Sequence, residues 1–318
     1  MRRTLILILL SLRLASALSQ ISITLNPQQQ FKETIPAGNY SGIAWLGGTR
    51  YAVVSDKSEH DGYYVFDIQL DTITGAILSA KNLGFYGSER PGRDDEDIAY
   101  LPDRCTLMIS GETDNHIFEY DQQGRYTGRA TAWPDSLGKL PENEGLEALT
   151  YCKESHHLWT CNETAPIRLL EIDSVMNVCH VIPYKMDTAS ISPHEGAFYT
   201  FGVPALCALN ADSLLVLERE AYVPKMKLGA FVKCKLFCYN ILTSEKTLLT
   251  QWQTNMKIFD HGFANYEGMC LGPNLTGGKR VVVLVADSQN QYAGVLRDWL
   301  KTAVLVKGIA TGKPQRNK

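Results

Sequence analysis

Short apolar runs separated by polar turns dominate the chain, and five of these runs end on charge: YAVVSD to Asp56, LMISGE to Glu112, LWTCNE to Glu163, LLVLER with Glu218 and Arg219, and VVVLVAD to Asp287. Each run follows a second short segment: Ser41-Gly42-Ile43-Ala44-Trp45, Glu96-Asp97-Ile98-Ala99-Tyr100, Glu144-Gly145-Leu146-Glu147-Ala148, Glu195-Gly196-Ala197-Phe198-Tyr199 or Glu267-Gly268-Met269-Cys270-Leu271. A third run often follows, as in YYVFDIQLD, HIFEYDQQG, IRLLEID and KLFCYNI. Runs this short, rich in β-branched and aromatic residues and bounded by Asp, Asn, Gly and Pro, predict antiparallel strands. Long helical periodicity is absent, although residues 295–300 allow a short helical turn.

The unit recurs at a spacing of about fifty residues and holds three or four strands, which is the content of a β-propeller blade. The pattern therefore predicts an all-β propeller with five countable blades. The interval from Glu195 to Glu267 is longer than the others, and residues 21–35 and 302–309 can pair the two ends of the chain, so a sixth blade is left open.

In a propeller the first strand of each blade lines the central channel, so a carboxylate at its start points at the channel mouth with its counterparts. On this reasoning Glu96, Glu144, Glu195 and Glu267 are the first candidates for a shared cation site, with Glu147, Asp56, Glu112, Glu163, Glu218 and Asp287 behind them. Hard cations such as calcium take several oxygen ligands of this kind. The opposing reading has the same glutamates accepting backbone N–H groups of the next blade and tying the ring together. Among the basic neighbours, Lys57, Arg90, Arg93 and Arg219, the last two are retained as groups that offset charge on a substrate, against the ordinary use of such residues in surface ion pairs. Glu144, Glu147, Arg93 and Arg219 form the candidate catalytic set. His60, His194 and His261 lie near these segments as candidate general acids or as plain exposed histidines. No GxSxG, HExxH or P-loop pattern is present, which removes serine hydrolysis and zinc proteolysis as first choices.

Composition changes the picture little. The 318 residues are 45% hydrophobic and 20% charged with a formal net charge of −3, as in an ordinary globular protein, and no basic cluster offers a footprint for nucleic acid. The start is informative: Arg2 and Arg3, an apolar stretch over residues 5–14 broken by Arg13, and Ala15-Ser16-Ala17 read as a signal peptide over residues 1–19, followed by one propeller domain over 20–318. Such a leader implies a secreted or periplasmic protein, and no later stretch is apolar and long enough to span a bilayer. Cys105, Cys152, Cys161, Cys179, Cys207, Cys234, Cys238 and Cys270 form no CxxC pair and are read as buried free thiols, with pairing in an oxidising compartment as the alternative.

The motifs YSGIAW, VVSDKS, DDEDIAY, ISGE, NEGLEALT, LLVLERE, NYEGMCL and LVADSQN together resemble the esterase-like phytase family of secreted bacterial propellers, over nearly the whole chain after the leader. The resemblance implies a phosphoric ester hydrolase dependent on a divalent cation, calcium by expectation, acting as a monomer on a small-molecule ester. Asp97 departs from the family pattern, which has glycine there. Two rivals stand beside this reading: a lactonase-type ester hydrolase, and a non-catalytic propeller that binds a ligand or partner. A phosphoesterase needs Arg or Lys at the cation, a lactonase tolerates an apolar rim, and a binding module needs exposed aromatic residues.

Overall fold

In a computed structural model of the chain, which describes residues 21–141, 144–257 and 262–307, the strands gather into five four-stranded antiparallel sheets. The strand β1 (Ile21–Leu25) lies at the outer edge of the fifth sheet. The first sheet runs β2 (Tyr40–Gly47), β3 (Arg50–Ser55), β4 (His60–Leu70), β5 (Ile77–Pro91) from inside to outside. The second is β6 (Asp95–Leu101), β7 (Thr106–Gly111), β8 (His116–Asp121), β9 (Tyr126–Ala132), and the third is β10 (Leu146–Cys152), β11 (His157–Asn162), β12 (Ile167–Ile172), β13 (Val178–Tyr184). The fourth has longer strands: β14 (Phe198–Asn210), β15 (Ser213–Val223), β16 (Phe231–Asn240) and β17 (Lys246–Asn255). The fifth is β18 (Asn265–Asn274), β19 (Arg280–Asp287), β20 (Leu300–Lys307) and then β1. The protein is a five-bladed β-propeller.

Pairing of the chain ends is as the sequence suggests, with Ile21 opposite Lys307 and Leu25 opposite Ala303. It completes the fifth blade and builds no sixth, because β1 adds an outer strand to a sheet whose other three strands come from the far end of the chain. The long Glu195-to-Glu267 interval is accounted for by the length of β14 and β15, 13 and 11 residues. Residues 295–299 carry no helix; a single 3₁₀ turn lies just before them at Tyr292–Gly294.

Each blade packs face to face on the next, and the hydrophobic core is divided accordingly into five clusters, one per blade interface. Tyr63 and Val65 of the first blade, for example, meet Leu107, Ile109 and Phe118 of the second. A sheet covered on both faces explains why the second strands read as unbroken apolar runs: β7 is buried at every position, and so is β19 from Val281 to Asp287. Of the cysteines, five are buried within this packing, as expected of small hydrophobes, whereas Cys105 and Cys179 are exposed and Cys238 lies between; all eight are free.

Candidate functional site: an acidic cavity at one end of the channel

The inner strands share one local irregularity. Near its start, each of β2, β6, β10, β14 and β18 carries one residue more than its partner, between Tyr40 and Ile43, Asp95 and Asp97, Leu146 and Ala148, Gly202 and Ala205, and Tyr266 and Gly268. A bulge of this kind leaves the extra residue outside the ladder and re-aims its side chain. In three blades the extra residue is a glutamate: Glu96, Glu147 and Glu267. In the other two it falls within Ser41-Gly42 and Val203-Pro204 and brings no charge. Backbones crowd here, since a Cβ on Gly268 would lie 2.5 Å from the Ser41 carbonyl oxygen and one on Gly42 2.5 Å from Asp97 Cα.

These three glutamates line a cavity of about 710 Å³ together with Asp56, Glu112, Glu144 and Glu163, which follow β3, follow β7, precede β10 and follow β11. The lining also includes the apolar side chains of Phe198, Phe201, Val223, Val232, Phe263 and Leu296. Two cations reach it. The buried Arg219 guanidinium donates to Glu163 Oε1 at 2.7 Å, to Asn265 Oδ1 at 3.1 Å and to Glu267. Lys57, more exposed, lies 3.0 Å from Asp56 and 3.6 Å from Asp94.

Neither the Glu96 nor the Glu147 carboxylate accepts a hydrogen bond from the described residues, whereas Glu112 accepts the Gly145 N–H at 3.2 Å and Glu144 the Thr164 hydroxyl at 2.5 Å. Burial first, and then Glu147, Asp56, Glu267 and Glu112, hold Glu96 well above the ordinary carboxylate range. Burial, then Glu163 and Glu267, does the same to Glu147 against the pull of Arg219. Glu267, Glu112 and Asp56 are also raised, each mainly by burial. The ring is therefore short of positive charge. Glu96 and Glu147, which accept no hydrogen bond from the described residues, together with the neighbouring carboxylates of Glu267, Glu112 and Asp56, make an all-oxygen set that fits a hard divalent cation.

Several residues picked from sequence are elsewhere. Glu195 is exposed in a turn ahead of β14 and starts no inner strand; the equivalent place in the fourth blade belongs to Val203-Pro204. Glu144 reaches the cavity from the loop before β10, while Glu147 takes the bulge position. Glu218 faces away and accepts the Tyr184 hydroxyl at 2.8 Å, Lys246 Nζ at 2.5 Å and the Asp187 N–H. Asp287 is fully buried, lines no part of the cavity and is capped by the Gln289 N–H at 2.9 Å, with burial and then Glu267 raising it. Arg93 lines no part of the cavity. It is buried at the junction of the first two blades, donating to Asp61 at 3.1 Å and Asp114 at 2.9 Å and stacking over Phe118 at 4.2 Å. Arg90 lies over the same ring. His60 and His194 are exposed and outside the cavity, and His261 and residues 1–19, read from sequence as a signal peptide, fall outside the described residues.

Sequence reading missed two contributors. Asp97, in place of the motif glycine, accepts N–H groups from Ile98 at 2.8 Å and Leu149 at 2.7 Å, and so cross-links β6 to β10 between Glu96, in the acidic cavity, and Ile98, which lines a second cavity of about 680 Å³ at the opposite end. The room for it comes from Gly42, as the close approach to Asp97 shows. Asn265, whose amide donates to Glu267 at 2.7 Å, had no signal beyond its place before Glu267.

Fold and site together define a small propeller with an acidic channel mouth. The chain belongs to the phytase-like family, described as esterase-like activity of phytase, which matches residues 35–289. No curated protein matches it. Among solved structures it is similar to the tail fibre of Staphylococcus aureus phage P68 (10% identity, TM-score 0.44, 91% of this chain and 54% of that one). It thus spans about half the length of that fibre chain. It is also similar to the Myceliophteria thermophila Cps50 (Swd1) β-propeller domain (10%, 0.39, 86% and 99%) and to a duf4221 family member from Bacteroides vulgatus (8%, 0.42, 92% and 100%). None of these three likenesses bears on what this chain binds or does.

Proposed function

We propose that the protein is an exported, divalent-cation-dependent hydrolase of phosphoric esters, with calcium as the cation. One observation carries this reading: Glu96 and Glu147 converge on one cavity with no hydrogen-bond donor to either among the described residues. When bound there, calcium supplies Lewis-acid polarisation of an ester oxygen and a place for water. Arg219, fixed by Glu163 and Glu267, offsets negative charge on one side of the substrate, and Lys57 at the rim attracts an anion on the other. Glu147, on the cavity wall beside Glu163 and Glu267, is placed to take a proton from attacking water.

The apolar part of the lining, from Phe198 to Leu296, supports a second reading, hydrolysis of a lactone or carboxylic ester with a hydrophobic group. Both are tested by assaying purified protein against phosphomonoesters, phosphodiesters, lactones and carboxylic esters, after chelation and after adding calcium. Calcium-restored turnover confined to phosphate esters supports the first reading, and turnover confined to the others supports the second. Turnover unchanged by chelator, or none on any substrate, rejects a cation-dependent esterase.

A further inference from the structure

A second cluster of metal-ligating side chains lies on the third blade, at the end away from the acidic cavity. Strand β11 starts at His157, opposite Cys152 of the second cavity, and leads to Glu163 in the first. His157, Glu171 and Cys179 bring a ring nitrogen, a carboxylate oxygen and a thiol sulfur within 4.8 Å of one another. His157 Nδ1 lies 2.8 Å from Glu171 Oε1, and His180 Nδ1 lies 2.6 Å from Glu171 Oε2. A bulge makes this possible. Glu171 pairs with His180 and Ile172 with Val178, which leaves Cys179 as the extra residue in β13. Consecutive residues of a regular strand would point to opposite faces, but here Cys179 and His180 both attend to Glu171.

We propose that His157, Glu171 and Cys179 bind a zinc-class divalent ion, with the fourth position open and His180 orienting the Glu171 carboxylate. Nitrogen, oxygen and sulfur in one cluster suit a borderline-soft ion, whereas the channel mouth offers oxygen alone. Zinc bond lengths place tetrahedral ligand atoms about 3.5 Å apart, a value the cluster brackets: the 2.8 Å His157–Glu171 contact must open and the wider separations, all within 4.8 Å, must close. Burial and then Glu171 raise the Cys179 thiol above its ordinary value, so zinc binding displaces its proton.

The test uses the full-length protein, reduced and in excess calcium to fill oxygen-only sites. Zinc is titrated by calorimetry, and alkylation of each cysteine by iodoacetamide is followed by peptide mapping. Cys105, also exposed, is the internal control. The expected result is one zinc per chain, with Cys179 alkylation slowed at least tenfold and Cys105 unchanged. Cys179→Ser and His157→Gln each weaken zinc binding at least tenfold, and His180→Gln weakens it by about tenfold without changing the stoichiometry. The protection measurement needs no variant, so it stands even if a substitution unfolds the blade. Cys179 alkylated equally fast with and without zinc, protection given equally by calcium alone, or unchanged affinity in His157→Gln would overturn the site.

Discussion

Arg219 holds in the fourth blade the place that Glu163 holds in the third, and its guanidinium donates to that same Glu163 at 2.7 Å. The equivalence follows from register: Leu149 pairs with Thr160 and Leu206 with Val216, and Glu163 and Arg219 each come three residues after the partner. By the same count Asp56, Glu112 and Asp287 stand at this position in the other blades, three residues after Val53, Ile109 and Leu284. One position of the repeat is thus acidic four times and basic once, and the one cation holds the acids beside it.

Removing that cation leaves Glu163 and Glu267 buried without their partner. Arg219→Met is expected to destabilise the protein by about 3–5 kcal/mol in denaturant unfolding at neutral pH. Adding Glu267→Gln to it recovers part of the loss. Recovery absent in the double variant would mean that Arg219 acts through packing alone.

The raised carboxylates make stability depend on pH in a definite direction. Glu96 and Glu147 bind protons more tightly folded than unfolded, so their contribution is fully present below the unfolded value of about 4.3 and is lost as pH rises through the folded one. Asp71, Asp121 and Asp173 are lowered and act oppositely, but their stabilisation is complete by about pH 5. The thermal midpoint of chelated protein should therefore fall between about pH 5 and pH 8, and calcium should reverse the fall by binding the folded form. A flat profile in chelator would count against a crowded acid ring.

Glu147→Gln keeps shape and removes one buried charge. In chelator at pH 8 it should raise the thermal midpoint by roughly 2–4 °C, the shift that about 1 kcal/mol gives a large domain. The same substitution should shrink the calcium-induced rise. Glu195→Gln, in an exposed turn, should change neither quantity, which separates the two glutamates by calorimetry.

Arg93→Met should be as destabilising as Arg219→Met, about 3–5 kcal/mol, because Asp61, Asp95 and Asp114 lose their cation. Its calcium response, measured as the shift in midpoint, should match the parent. A diminished response would bring Arg93 back to the site.

Strand content, the repeat of about fifty residues, and the propeller were readable along the chain, because period and turn chemistry are local properties. So were Asp56, Glu112 and Glu163, which end apolar runs at the same offset. What the sequence left undecided was which neighbouring carboxylate faces the channel. Side chains alternate along a strand, so one extra residue exchanges inside for outside. The inner-strand bulges put Glu147 on the ring in the place read for Glu144. The longer fourth blade turned Glu218 outward and Arg219 inward, and its bulge fell at Val203-Pro204, far from Glu195. The fifth blade's closure by β1 likewise joins residues from opposite ends of the chain. Only packing of blade on blade, with backbones as close as Gly268 and Ser41, decides such pairings, because no local stretch contains both partners.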